Sequence, residues 1–170
     1  MPSITDIVIR PAQRKDIDSI VAFSLAMAFE TEGRRLDEAT LRQGTKSLLD
    51  QPSHGFFMVA EALQARVRKL VGQMMITFEW SDWRNARFWW IQSVYVDPAW
   101  RRLGIYRRMH ETVIVRAKND PDVCGIRLYV EQHNRTAQLV YQRVGLAPSA
   151  YTVFEQDFVL PAQVLPIKNE

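Results

Sequence analysis

The chemistry in this chain is concentrated where Val96-Asp97-Pro98-Ala99-Trp100-Arg101-Arg102-Leu103-Gly104-Ile105-Tyr106-Arg107-Arg108 joins an apolar run to an amphipathic one. The run 88–96 reads as a strand halted by Asp97-Pro98. The segment 102–118 reads as a helix with Ile105, Met109, Val113 and Ala117 on one face. The first N–H groups of a helix have no partner inside it, its dipole favours anions there, and Gly104 lets a ligand approach the backbone. Phosphate suits such a junction, with Arg101, Arg102, Arg107 and Arg108 beside it. The dipole contributes only about 0.3–1 kcal/mol at a surface, whereas each charge-assisted hydrogen bond adds about 1.5–3 kcal/mol, so several N–H groups together must carry the affinity. The same residues equally describe a solvated basic first turn with a packing glycine. Neither a Gly-Lys-Ser/Thr ending nor three spaced glycines is present, which disfavours a nucleotide hydrolase or a dinucleotide site.

Other chemistries find less support. His54, His110 and His133 are far apart and the single Cys124 has no partner at metal-ligand spacing, so no metal is expected. There is no Gly-x-Ser-x-Gly elbow for a serine hydrolase. A lone cysteine flanked by Val123, Gly125 and Ile126 reads as a small buried thiol in a reducing, cytoplasmic protein. The start of the chain has no signal-like pattern, and no segment approaches the ~20 apolar residues that cross a bilayer. The 22 Lys and Arg against 19 Asp and Glu nearly balance, which argues against a nucleic-acid partner.

The elements that must position the junction follow from periodicity. At 170 residues, 47% hydrophobic and 24% charged, the chain predicts one globular domain, taken as 1–160 with a C-terminal tail at 161–170. The segment 4–10 is β-rich. Asp16 is placed to cap a helix carrying Ile17, Ile20, Val21, Leu25 and Ala28, and Asp37 a second, with Leu36 and Leu41 as a hydrophobic staple. Runs 56–60 and 70–78 predict an antiparallel pair, followed by strand 88–96. Strand, helix 102–118, strand 126–131 is a crossover unit whose two strands should be parallel. A short helix bearing Ala137, Val140, Tyr141 and Val144 closes at Gly145, and 151–159 predicts a last strand.

On these residues the sequence resembles the GNAT superfamily of acyl-CoA-dependent N-acetyltransferases. Val96-x-Pro98-x-x-Arg101-x-x-Gly104-x-Tyr106 is similar to its acyl-CoA-binding motif, Gln/Arg-x-x-Gly-x-Gly/Ala. Leu128-x-Val130-x-x-x-Asn134-x-x-Ala137-x-x-x-Tyr141-x-x-x-Gly145-Leu146 is similar to its later motif, with Leu146 where Phe is usual. The resemblance spans roughly 6–158. It implies an α/β (α+β) fold: a mixed, mostly antiparallel sheet with a central, splayed parallel strand pair and helices on both faces. Tyr106 departs from the family's Gly or Ala, so its side chain must point away from the pyrophosphate or the loop must differ.

The resemblance further implies acetyl-CoA as co-substrate, with pantetheine along the main chain of Val94, Tyr95 and Val96 and near Asn134, itself a good helix cap. The pyrophosphate would lie on backbone N–H groups of Arg102, Leu103, Gly104, Ile105, Tyr106 and Arg107, with Arg101 opening the motif. Tyr141 matches the family's proton donor to the departing thiolate. The attacking amine must be neutral, and a lysine-like amine is so in only about one part in 10³ at pH 7. The strand 90–93 offers no carboxylate, which leaves Glu79 as the base, with Glu131 second. Glu30, Trp83, Trp90 and Gln92 are candidates for a cation-binding acceptor pocket. The acceptor expected is a primary amine of a small molecule. The alternatives are a protein or peptide acceptor and a non-catalytic acyl-CoA-binding module. Exposed tryptophans among 80, 83, 89 and 90 would point to a homodimer.

Overall fold

Five strands form one sheet in the order β1 to β5. The computed structural model describes residues 7–64 and 67–160. Its elements are β1 (Ile7–Pro11), α1 (Ile17–Glu32), α2 (Glu38–Asp50), β2 (Gly55–Gln64), β3 (Val67–Ser81), β4 (Ala86–Val96), α3 (Ile105–Lys118), β5 (Val123–Leu128) and α4 (Arg135–Arg143). Neighbouring strands pair antiparallel from β1 to β4, and β4 pairs with β5 in parallel through the α3 crossover. The expected mixed sheet with helices on both faces is present, and β5 is its outermost strand among the described residues.

The two faces carry two cores. Ile105, Met109, Val113 and Ala117, the predicted stripe of α3, are all buried and pack with Met74, Ile76, Trp89 and Ile91. On the other face Ile20 of α1 and Leu48 of α2 close over Phe57, Val59 and Leu70. Asp37 caps α2, its Oδ2 accepting the Thr40 N–H at 2.7 Å.

Three expectations need correction. Asp16 makes no side-chain cap on α1. Instead its carboxylate accepts Gln13 N–H and two bonds from Arg10, which also donates to Glu61 and so ties β1 to β2 and to the start of α1. Burial alone would raise this carboxyl, but those hydrogen bonds and the Arg10 charge outweigh it and hold it below the ordinary value. Second, α3 starts at Ile105, not 102, because Arg102 and Gly104 both have positive φ. Third, 151–159 forms no strand. Tyr151, Phe154 and Phe158 stand exposed, and a strand without a hydrogen-bonded neighbour has nothing to hold it.

His110 on α3 is 2% exposed, and its Nε2 has no hydrogen-bond partner. Burial therefore lowers its pKa below the ordinary 6.5 and keeps it neutral. The unfolded chain takes up this proton first as pH falls, so the folded state loses stability below about pH 6.5. Urea unfolding at pH 7.5 and 5.5 should show that loss, up to about 1.4 kcal/mol per pH unit from this group. His110→Phe should flatten it.

Candidate active site

The site begins with a bulge. Gln92 lies opposite Met75 of β3 and Tyr95 opposite Gln73, so Ser93 and Val94 together face one residue, and Ser93 takes a φ of 47°. An extra residue inverts the alternation of side chains beyond it. Trp89 and Ile91 point into the α3 core, and after the bulge Val94 and Val96 do so. Tyr95 is thereby turned to α1, its ring 5.3 Å from Phe23. Fully buried Gln73 braces the bulge, its Nε2 donating to Ser93 O (3.3 Å) and to Ser24 Oγ of α1 (2.9 Å).

Beyond the bulge the sheet opens. The parallel pairing stops at Ile91 opposite Leu128, while β4 runs on to Val96. No described strand lies along that edge over 92–96, so main chain around Val94, Tyr95 and Val96 faces a cleft. Val96 O already accepts from Arg101 Nε at 2.9 Å.

After β4 the Asp97 carboxylate accepts the Ala99 N–H, and the buried Trp100 anchors a short 3-10 turn. Arg102 (φ 64°) and Gly104 (φ 74°) then turn the chain into α3, whose first helical bond is Arg108 N–H to Gly104 O at 3.0 Å. The N–H groups of Ile105, Tyr106 and Arg107 precede that bond and have no acceptor in the helix. A Cβ on Gly104 would meet no protein atom within 4 Å, so the ground in front of these donors is open. The start of α3 is thus a cradle of backbone donors without helical acceptors.

The arginines divide. Arg107 pairs with Glu111 at 2.8 Å, and Arg108 donates to Ile7 O. Arg101 pairs with Glu30 at 2.6 Å and lies over the Tyr95 ring. Arg102 makes no ion pair among the described residues and is exposed beside the cradle. Leu103 and Ile105 pack on the α3 core, leaving only their backbone to the cleft.

Tyr106 resolves the departure noted in the motif. Its side chain turns away from the cradle and under α3, with its ring 5.8 Å from His110 and 5.6 Å from Tyr141. Its hydroxyl is buried without a partner, and burial pushes its pKa well above the ordinary 10. The contact brings Tyr141 of α4 to the N-terminal end of α3. Burial raises the Tyr141 phenol too, so it stays protonated across neutral pH. Its hydroxyl makes no hydrogen bond among the described residues. Asn134 caps α4, Oδ1 accepting Ala137 N–H at 3.0 Å.

A family model for acetyltransferases (GNAT) matches residues 19–146. The chain belongs to the GNAT acetyltransferase family. A possible acetyltransferase from Clostridium difficile 630 is similar over 91% of this chain and 99% of its own, with 38% identity and a TM-score of 0.82. Two further GNAT-like structures share the fold. A predicted acetyltransferase from Clostridium acetobutylicum, solved with acetyl-CoA, has 20% identity and a TM-score of 0.70, covering 88% of this chain and 96% of its own. Glucosamine-6-phosphate N-acetyltransferase from Arabidopsis thaliana has 14% identity and a TM-score of 0.67, covering 88% and 97%. No protein of curated function matches the sequence.

Within this GNAT frame the predicted acceptor and base residues do not gather in one pocket. Glu30 accepts from Tyr95 OH (2.7 Å) and from Arg101, and these bonds hold its carboxyl below the usual range. Glu79 accepts from Arg127 (2.8 Å) and from Trp90 Nε1. Trp90 stacks on Tyr129 at 4.3 Å, and Gln92 donates to Thr77 at 2.5 Å. Register puts Glu79, Trp90 and Gln92 on the same sheet face as Met75, successively nearer the bulge. Trp83 is 84% exposed at the β3–β4 turn and joins none of them. Trp80 is exposed as well, whereas Trp89 is buried, so two of the four tryptophans named for a dimer surface are free to meet one. Glu131 accepts the His133 N–H in the turn before α4.

The sequence points to a pocket between the loop joining the first two helices and the central strands, but none of the acceptor residues it suggests lines the cleft of about 380 Å³ that lies between α1, α2 and the sheet, with Ser93 of the bulge in its wall. One signal was legible. Gly44 stands inside α2, where glycine costs about 1 kcal/mol relative to alanine, and a Cβ there would enter open space.

Proposed function

We propose that this GNAT protein transfers an acetyl group from acetyl-CoA to the primary amine of a small molecule, both bound together. The cradle at Gly104 carries this reading: unpaired N–H groups at the start of α3 and open space before them, next to an open β4 edge. Those donors suit a pyrophosphate and the strand edge an extended amide-bearing arm. Acetyl-CoA, when bound, supplies an activated acetyl thioester.

The chain's own residues then have distinct tasks. Backbone N–H groups of 102–107, with the Arg102 guanidinium, hold the phosphates. Val94, Tyr95 and Val96 align the arm, and Asn134 flanks it. Tyr141 keeps its proton at neutral pH and can give it to the leaving sulfur. Glu79 is the candidate to receive the amine's proton through water, for which one oxygen must give up its bond to Arg127 or Trp90. Calorimetric titration of acetyl-CoA, with ATP as comparison, tests the reading. Saturable micromolar binding of acetyl-CoA and amine-dependent thiol release are expected. A folded protein that binds no acetyl-CoA would overturn it.

A further inference from the structure

The cleft beside the bulge names its occupant by what lines it. Met27 of α1, Leu41 and Leu48 of α2, and Phe57 and Met75 of the sheet supply apolar walls, and Ser24, Thr40, Thr45 and Ser93 of the bulge add hydroxyls but no charge. None of its described lining residues is titratable. The volume falls in the range of small-molecule sites. Glu30, one turn beyond Met27, has both oxygens committed to Tyr95 and Arg101 and lends the cleft no free charge. Gly44 adds an independent observation: a helix-weakening residue whose missing side chain leaves this space open.

We infer that the cleft between α1 and α2 is the acceptor site and that it takes a weakly basic amine on an uncharged, apolar body. This rests on the acetyltransferase reading above. An ammonium entering walls without a carboxylate loses hydration and gains no counter-charge, so the neutral form is the one admitted. At pH 7 a lysine-like amine is neutral in about one part in 10³, whereas an α-amine with a pKa near 8 is neutral in about one part in ten. An uncharged cleft therefore favours the second by about 100-fold, before any gain from burying its apolar body. Polyamines, which need carboxylates, are disfavoured by the same walls.

The test uses L-phenylalaninamide against N-α-acetyl-L-lysinamide and spermidine as acetyl acceptors at pH 7, in wild type and Gly44→Leu. A kcat/KM for L-phenylalaninamide at least about 10-fold above the other two is expected. Gly44→Leu should raise its KM by about 10-fold or more, leave acetyl-CoA affinity within about twofold, and not lower the melting temperature. Calorimetric titration of L-phenylalaninamide into both proteins without acetyl-CoA reads the cleft directly. Preference for lysinamide or spermidine, or binding and KM unmoved by Gly44→Leu, overturns the inference. If L-phenylalaninamide binds and acetyl-CoA does not, the parent reading falls and the cleft stands. If acetyl-CoA binds and thiol is released only with the charged amines, the cleft assignment falls and the parent reading stands.

Discussion

Tyr141→Phe is expected to lower kcat by about 10²- to 10⁴-fold, the usual contribution of a positioned general acid. The substitution removes one oxygen and keeps the ring, so the contact with Tyr106 at 5.6 Å survives and α4 stays docked. The hydroxyl makes no hydrogen bond among the described residues, so nothing in the fold depends on it. Acetyl-CoA affinity, read by calorimetry, should therefore hold within about twofold while turnover collapses. Burial raises this phenol above its ordinary pKa, so its deprotonation limb in the wild-type kcat profile should lie above pH 10. A variant that turns over at the wild-type rate would remove Tyr141 from the chemistry.

Gly104→Val should weaken acetyl-CoA binding by more than about 100-fold. The backbone there sits at φ 74°, where a β-branched residue costs about 1–2 kcal/mol and pulls the loop toward another conformation. Each charge-assisted bond lost from the realigned N–H groups removes a further ~1.5–3 kcal/mol. Two such losses already exceed 100-fold. Since a Cβ here touches no protein atom, the ligand-free fold should lose only the backbone strain, a few degrees of melting temperature. Unchanged affinity would mean that the phosphates lie elsewhere.

Much of this architecture was legible in the sequence. The four-residue stripe of α3 is buried as its spacing predicts, Asp37 caps α2, and the strand–helix–strand unit gives the parallel pair β4–β5. These features rest on local periodicity and capping. What failed was set by distant partners. Asp16 looked like a cap until Arg10, from β1, claimed its carboxylate. The run 151–159 looked like a strand, but among the described residues it pairs with none and β5 is the edge of the sheet. The site divides in the same way. Gly104 and the arginines around it announce an anion cradle, yet which arginine remains unpaired depends on Glu30, Glu111 and Ile7, brought up by the fold. The cleft between α1, α2 and the sheet draws its apolar lining from methionine, leucine and phenylalanine, residue types that in a sequence read only as core.

The bulge at Ser93 and Val94 has an implication for how this gene can change. It acts as a phase shift of one residue in a strand whose side chains alternate with a period of two, and everything from Val94 to Trp100 is set by it. A single-codon deletion between positions 92 and 94 would leave Tyr95 facing α1 and Val94 and Val96 facing the α3 core, but it would abolish the kink at Ser93 and the carbonyl that Gln73 braces, and so close the opening of the strand. The turn at 81–85 could gain or lose a residue without such a penalty, because register on either side is pinned by the strands themselves. Length variation among descendants of this chain should therefore cluster at that turn and be purged from the bulge, where the count of residues matters more than their identity.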